Sequence, residues 1–282
     1  MLENINPAGH WHISHTDLIF KIPCISTDIF SIGPVLRGAF GKSLRQQACV
    51  KDRNAKCPVC ELFNNCPYAL VFEAHERKGD VPWTPGYVFE WDFANSGQMA
   101  VTLKLLGCLN DVGDVILKSL ARMRLPVPDG SGFVEVDEII STTRHKLNLS
   151  DAATPPKNVR VEIVTPLNLK QDGKQMRHID LDVLVQTAQR RVDSVCLFYG
   201  DASCMGQGDK GSGQIINSNI TMHNEHRFSF RQRQSHPLNG MLGQFEVTEP
   251  GGCLYALLKA AEVLHIGKGL SFGLGRIRVV EA

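Results

Sequence analysis

Apolar and polar positions change period several times along this chain, and each change marks an element. Residues 11–22, WHISHTDLIFKI, end in an apolar run that predicts a strand. In residues 35–50, VLRGAFGKSLRQQACV, positions Val35, Leu36, Phe40 and Leu44 fall near one face of a helix that also carries Arg37, Lys42 and Arg45. Segments 68–74, 86–93 and 99–107 alternate as strands do. Residues 108–123 return to helical spacing, with Asp111 and Asp114 early and Lys118 and Arg122 late, the sense that the helix dipole favours. FVEVDEI (133–139) predicts a further strand.

A polar stretch with paired prolines, LNLSDAATPPKN (147–158), predicts a linker, after which the order repeats. A strand over 159–167 is followed by a helix over 179–200, about six turns long. A glycine-rich flexible loop (204–213) comes next, then strands over 214–222, 226–234 and 240–248, a helix over 253–265, a glycine loop and a final strand over 276–280. Both halves thus read strand, helix, strands, helix, strand. The pattern predicts an α+β fold of two tandem ferredoxin-like domains, 1–150 and 151–282.

Composition narrows the picture. Of 282 residues, 43% are hydrophobic and 21% charged, the proportions of a globular protein. No apolar run reaches membrane-spanning length, and MLENINPAGHWH lacks a signal-peptide pattern, so the cytoplasm is the expected compartment and no membrane partner is expected. The formal charge is only +1, so binding of nucleic acid would rest on local clusters of cations.

Three such clusters stand out. The first is the helix with Arg37, Lys42 and Arg45. The second is HRFSFRQRQ (226–234), where Arg227, Arg231 and Arg233 sit at alternate or near-alternate strand positions. The third is HIGKGLSFGLGRIRV (265–279), where Gly267, Gly269, Gly273 and Gly275 allow a close backbone approach and Lys268, Ser271 and Arg276 add positive charge and a hydroxyl. A phosphate backbone is the natural guest, against the plainer reading of a turn needed for packing. GAFGKS (38–43) is not a P-loop, because the glycine required five residues before Gly41 is Leu36.

Nine cysteines in a chain without an export signal point to metal ligation rather than disulfides. Cys49, Cys57, Cys60 and Cys66 form C-x7-C-x2-C-x5-C, a pattern suited to tetrahedral zinc of structural rather than catalytic kind, with an iron–sulfur cluster or unligated thiols as the alternatives. His12 and His15 on the first strand have imidazoles that titrate near neutral pH and are candidates for acid–base work; frayed surface histidines are the competing reading.

RFSFRQRQSHPLNGMLGQFEV (227–247) and LLKAAEVLHIGKGLSFGLGRIRV (257–279) resemble the CRISPR-associated pre-crRNA-processing endoribonucleases of the RAMP superfamily. Arg231–Gln232, the turn at Gly240–Gly243 and the HxGKG…FGLG run carry the resemblance. LRGAFGKSLR, spaced cysteines and then CPYALVFE (66–73) is a combination seen in one branch of that family, expected of type III or type IV systems, and TPLNLK (165–170) matches the strand opening the second domain. The resemblance implies two ferredoxin-fold domains and one metal-independent cut per CRISPR repeat stem-loop. It also implies retention of the crRNA in an effector complex with other subunits, in a prokaryotic cytoplasm. For His265 the resemblance suggests a structural or backbone-binding role, while the loop glycines, Lys268, Ser271 and Arg276 are read from the residues as phosphate contacts and Arg227, Arg231 and Arg233 as a basic strand face for RNA. Many members carry a catalytic histidine in or near the first helix, whereas residues 33–50 contain none. Arg37, Lys42 and Arg45 are then expected to stabilise the charge of the phosphorane, with His12 or His15 moving protons. The alternative is a crRNA-binding subunit that does not cut.

Overall fold

The structure, a computed structural model, describes residues 10–26, 30–51, 56–77, 82–94, 97–127, 130–150, 154–200, 213–224, 226–229 and 234–281. Contacts divide the chain into two units. One comprises residues 14–145 with 197–201, and the other residues 1–13, 146–196 and 202–282.

The N-terminal unit runs β1 (His10–Pro23), α1 (Ile32–Ala48), α2 (Pro67–Phe72), β2 (Tyr87–Ala94), β3 (Gln98–Leu106), α3 (Gly113–Leu120), β4 (Arg124–Pro126), β5 (Phe133–Glu135) and β6 (Glu138–Ser150). Its main sheet has the order β2-β3-β1-β6, which agrees with a ferredoxin-like βαββαβ unit. Alternation decides the two faces of this sheet. Leu18, Phe20 and Ile22 of β1 lie opposite Leu103, Val101 and Met99 of β3, all fully buried. The same face carries Tyr87 and Phe89 of β2, which the ring of Phe40 on α1 meets edge-on at 5.7 and 5.8 Å. The hydroxyl of Ser43 donates to the carbonyl of Ser119 at 2.7 Å and ties α1 to α3. Truncating one of these buried aliphatic residues to alanine typically costs about 2–5 kcal/mol.

The C-terminal unit runs β7 (Asn158–Leu167), β8 (Lys170–Gln171), β9 (Lys174–Gln175), α4 (Leu181–Tyr199), β10 (Gln214–His223), β11 (His226–Ser229), β12 (Gln234–Pro237), β13 (Gly240–Thr248), α5 (Gly252–Leu264) and β14 (Ile277–Glu281). The main sheet, β10-β13-β7-β14, repeats the order of the first. Val161 of β7 lies between Phe245 of β13 and Val279 of β14, with the first two buried. On α4 the buried guanidinium of Arg191 donates through Nε and Nη2 to the carbonyl of Leu264 at 3.1 and 3.0 Å, closing the C-terminus of α5.

Four expectations change. Residues 68–74 are not a strand: Pro67 opens a helix, the N–H of Leu70 reaches the carbonyl of Cys66, and Tyr68 stacks on Phe72 four residues on. The fourth strand of the first sheet is β6, extending from Glu138 to Ser150 through residues expected to be a linker, while 133–135 forms a separate short ribbon with β4. The helix expected over 108–123 is a 3-10 turn followed by the eight residues of α3. Residues 226–229 and 234–237 are an antiparallel pair, β11 with β12, in which Arg227 lies opposite His236, rather than parts of one strand. Arg231 and Arg233 lie outside the described residues, as does the 204–213 loop apart from Gly213.

Candidate functional site

The glycine loop between α5 and β14 is held by its own protein. Gly267, Gly269, Gly273 and Gly275 all have positive φ, +91°, +80°, +72° and +73°. A Cβ on Gly275 would come within 1.8 Å of the carbonyl oxygen of Ile266, and one on Gly267 within 2.7 Å of that of Asn168. The N–H groups of Ile266, Lys268, Phe272, Gly273, Leu274 and Gly275 donate to carbonyls of the loop or of the end of β7. The hydroxyl of Thr165 donates to the carbonyl of Gly273 at 2.8 Å and accepts from the N–H of Arg276 at 2.9 Å. Much of the loop backbone is therefore committed within the fold. His265, Gly273 and Gly275 are buried, His265 completely, and so lie inside the fold rather than on the loop's outer surface. Lys268 is exposed, and Ser271 and Arg276 are half-buried. They are what the loop presents outward.

The cations of α1 lie against aromatic rings. Arg37 sits 5.6 Å from the centre of the Phe72 ring and hydrogen-bonds to the buried hydroxyl of Tyr87, whose pKa burial raises. Arg45 sits 5.3 Å from the centre of Tyr68 and hydrogen-bonds to its hydroxyl. Lys42 is exposed, with its ammonium 5.9 Å from the Phe133 ring. Arg37 and Arg45 thus couple α1 to α2 and β2, a packing role that cation–π contacts of this kind serve at about 0.5–2 kcal/mol each.

His15 faces the other way. It lies on β1 opposite Leu106, and Asp17 lies opposite Lys104, so both project from the sheet face away from α1. The sheet therefore separates His15 from Arg37, Lys42 and Arg45, and the expected catalytic group is not one constellation. His15 stacks on His145 of β6, ring centres 4.9 Å apart, and Lys104 bonds Glu90 at 2.5 Å on the same face. Burial, then Lys104 and His145, lower the pKa of His15 to about 4, so its imidazole is neutral at pH 7. Burial raises that of Asp17. The side chains of His12 and Arg227 lie outside the described ones. No spacing in the sequence marks His145 as the partner of His15.

The four motif cysteines are brought together. Cys49 closes α1, Cys57 and Cys60 span a 3-10 turn, and Cys66 caps α2. All four line one cavity of about 20 Å³ with Lys51, Lys56, Phe63, Tyr68 and Ala69. Burial raises the pKa of the Cys57 thiol, with Glu73 next and the neighbouring Cys66 and Cys49 adding to it. Four thiols and two lysines around so small a space fit a thiolate-bound ion by class. Their sulfurs are not gathered as closely as the ligand atoms of His15, Asp17 and His145, which all lie within 4.8 Å of one another.

Residues 161–277 match the family model of the CRISPR-associated endoribonuclease Cas6, and residues 30–152 match a model described as an N-terminal domain. No curated protein matches the chain. Among solved structures, a Thermus thermophilus Cas6 product complex aligns with TM-score 0.58 and 11% identity, covering 94% of this chain and 100% of that one. A second Cas6 product complex aligns with TM-score 0.55 and 12% identity over 95% and 99%. A Cas6 substrate-mimic complex aligns with TM-score 0.51 and 10% identity over 95% and 99%. At these identities the structural likeness is one of fold.

Proposed function

We propose, from the match of residues 161–277 to the Cas6 family model, that this chain is an endoribonuclease that binds CRISPR repeat RNA and cuts it. The supporting observation is that the matched segment builds a rigid loop from which Lys268, Ser271 and Arg276 face outward. Phosphates of the repeat are their natural partners.

The reaction is attack by a 2′-hydroxyl on the adjacent phosphate, leaving a 2′,3′-cyclic phosphate and a free 5′-hydroxyl, with no catalytic metal. Alignment of the attacking oxygen and charge on the phosphorane are the two needs an arginine- and lysine-bearing helix can meet. Lys42, the exposed cation of α1, is the best placed for this, with Arg37 and Arg45 beside it. A centre on α1 takes no proton through His15, which lies across the sheet. The four cysteines hold a structural zinc that fixes the connection between α1 and α2, and the product crRNA stays bound in an effector complex.

The test is single-turnover cleavage of a CRISPR repeat RNA in EDTA by wild type, Lys42→Ala and Arg37→Ala. One product ending in a cyclic phosphate, formed about 100-fold more slowly by Lys42→Ala, supports the reading. Tight binding with no cut by wild type makes the chain a crRNA-holding subunit instead.

A further inference from the structure

We propose that His15, Asp17 and His145 form a binding site for one divalent transition-metal ion of the zinc, nickel or cobalt class, on the helix-free face of the N-terminal sheet. Two adjacent strands build it. His15 and Asp17 are two residues apart on β1 and so share a face, and β6, next to β1 in the sheet, brings His145 alongside.

The geometry is close to that of a chelate. The Nε2 of His15 lies 3.5 Å from one carboxylate oxygen of Asp17, and the Nε2 of His145 lies 3.8 Å from the other. One donor atom from each residue lies within 4.8 Å of the other two. Bonds of about 2.0–2.2 Å at tetrahedral angles separate neighbouring ligand atoms by roughly 3.3–3.6 Å, so a bound ion needs only a small adjustment of these side chains.

The chemistry points the same way. The Oδ1 of Asp17 is shielded from solvent and accepts no hydrogen bond, an arrangement that a cation between the carboxylate and the two imidazoles would relieve. Among the described residues Lys104 is a cation that acts on Asp17, and it is already bonded to Glu90. Two imidazoles with a single carboxylate suit borderline ions and give too few oxygens for calcium or magnesium. His145 is exposed, which gives an ion an entry path and leaves room for a water ligand. Bound there, the ion would staple β6, an edge strand exposed along residues 142–146, to β1. The inference does not depend on RNA cleavage and concerns the sheet face opposite α1.

The experiment is titration of chelator-stripped full-length protein with Co2+, read by calorimetry and by the visible spectrum, because a nitrogen–oxygen site lacks the thiolate charge-transfer bands of the cysteine cavity. It is run on wild type, Cys60→Ser, His145→Ala and Asp17→Asn. The expected result is one equivalent free of thiolate bands in wild type and in Cys60→Ser, weakened roughly 100-fold or more in His145→Ala and in Asp17→Asn. Because His145 is exposed, its removal leaves the fold intact, and an unchanged melting temperature without metal confirms it. A wild type without this equivalent, or a His145→Ala protein that keeps it at full affinity, overturns the proposal.

Discussion

The glycine loop at 265–276 and the cysteine-bearing connection at 49–66 are both irregular segments rich in one special residue, yet they are finished in different ways. In the glycine loop the protein supplies most of the partners: carbonyls of the loop and of the end of β7 take up the N–H groups of Ile266, Lys268, Phe272, Gly273, Leu274 and Gly275, the hydroxyl of Thr165 takes that of Arg276, and four left-handed glycines make the path possible. In the cysteine connection, four thiols surround a small cavity without bonding one another. The cluster of glycines therefore reports what the backbone needs, whereas the cluster of cysteines gathers four thiols that are not bonded to one another. The first kind of segment shows its function only in the side chains it turns outward.

The largest effect that would break this contrast concerns Gly275. Gly275→Ala puts a Cβ against the carbonyl of Ile266 in a backbone conformation that disfavours it, and should cost on the order of 3–5 kcal/mol in denaturant unfolding. A loss below about 1 kcal/mol would mean that the loop is loose, and the contrast would fail. Next in size is the cysteine connection. Stripping zinc from wild type should lower its stability by about 2.7 kcal/mol, for an ion present at 100 times its dissociation constant, and the effect should vanish in Cys60→Ser. If chelation acts equally on both proteins, the cavity closes without an ion. The smallest effect sharpens the contrast from the other side. Lys268→Ala should leave unfolding within about 0.5 kcal/mol of wild type while weakening repeat-RNA binding and reducing the magnitude of its log–log salt slope by about 1. An unchanged slope would remove Lys268 from the RNA surface.

Much of the fold was legible because alternation and helical spacing recur in the same order in both halves. The order failed to mark β6, because residues 142–146 are exposed and an edge strand with no buried face there shows no apolar alternation. It misassigned residues 68–74, where Tyr68, Leu70 and Phe72 alternate as in a strand. Pro67 and the cap at Cys66 instead start a helix whose rings at 68 and 72 stack. The cysteine cluster was readable because its members are close in sequence. His15 and His145 were not, since 130 positions separate them and only the placement of β6 beside β1 makes them neighbours. The division of the candidate catalytic residues between two faces was hidden for a related reason: the register of β1 against β3 decides it, and register is not written in composition.

The two bonds from Arg191 to the carbonyl of Leu264 place a buried charge at the point where α5 gives way to the glycine loop. Opening the loop from that end would break both bonds of this buried guanidinium to Leu264, so the loop and the two helices should behave as one cooperative unit. Hydrogen exchange at the loop amides should then share the protection of the helical core rather than that of a surface turn, and whatever the loop's outward side chains hold would meet the rigidity of the domain beneath it.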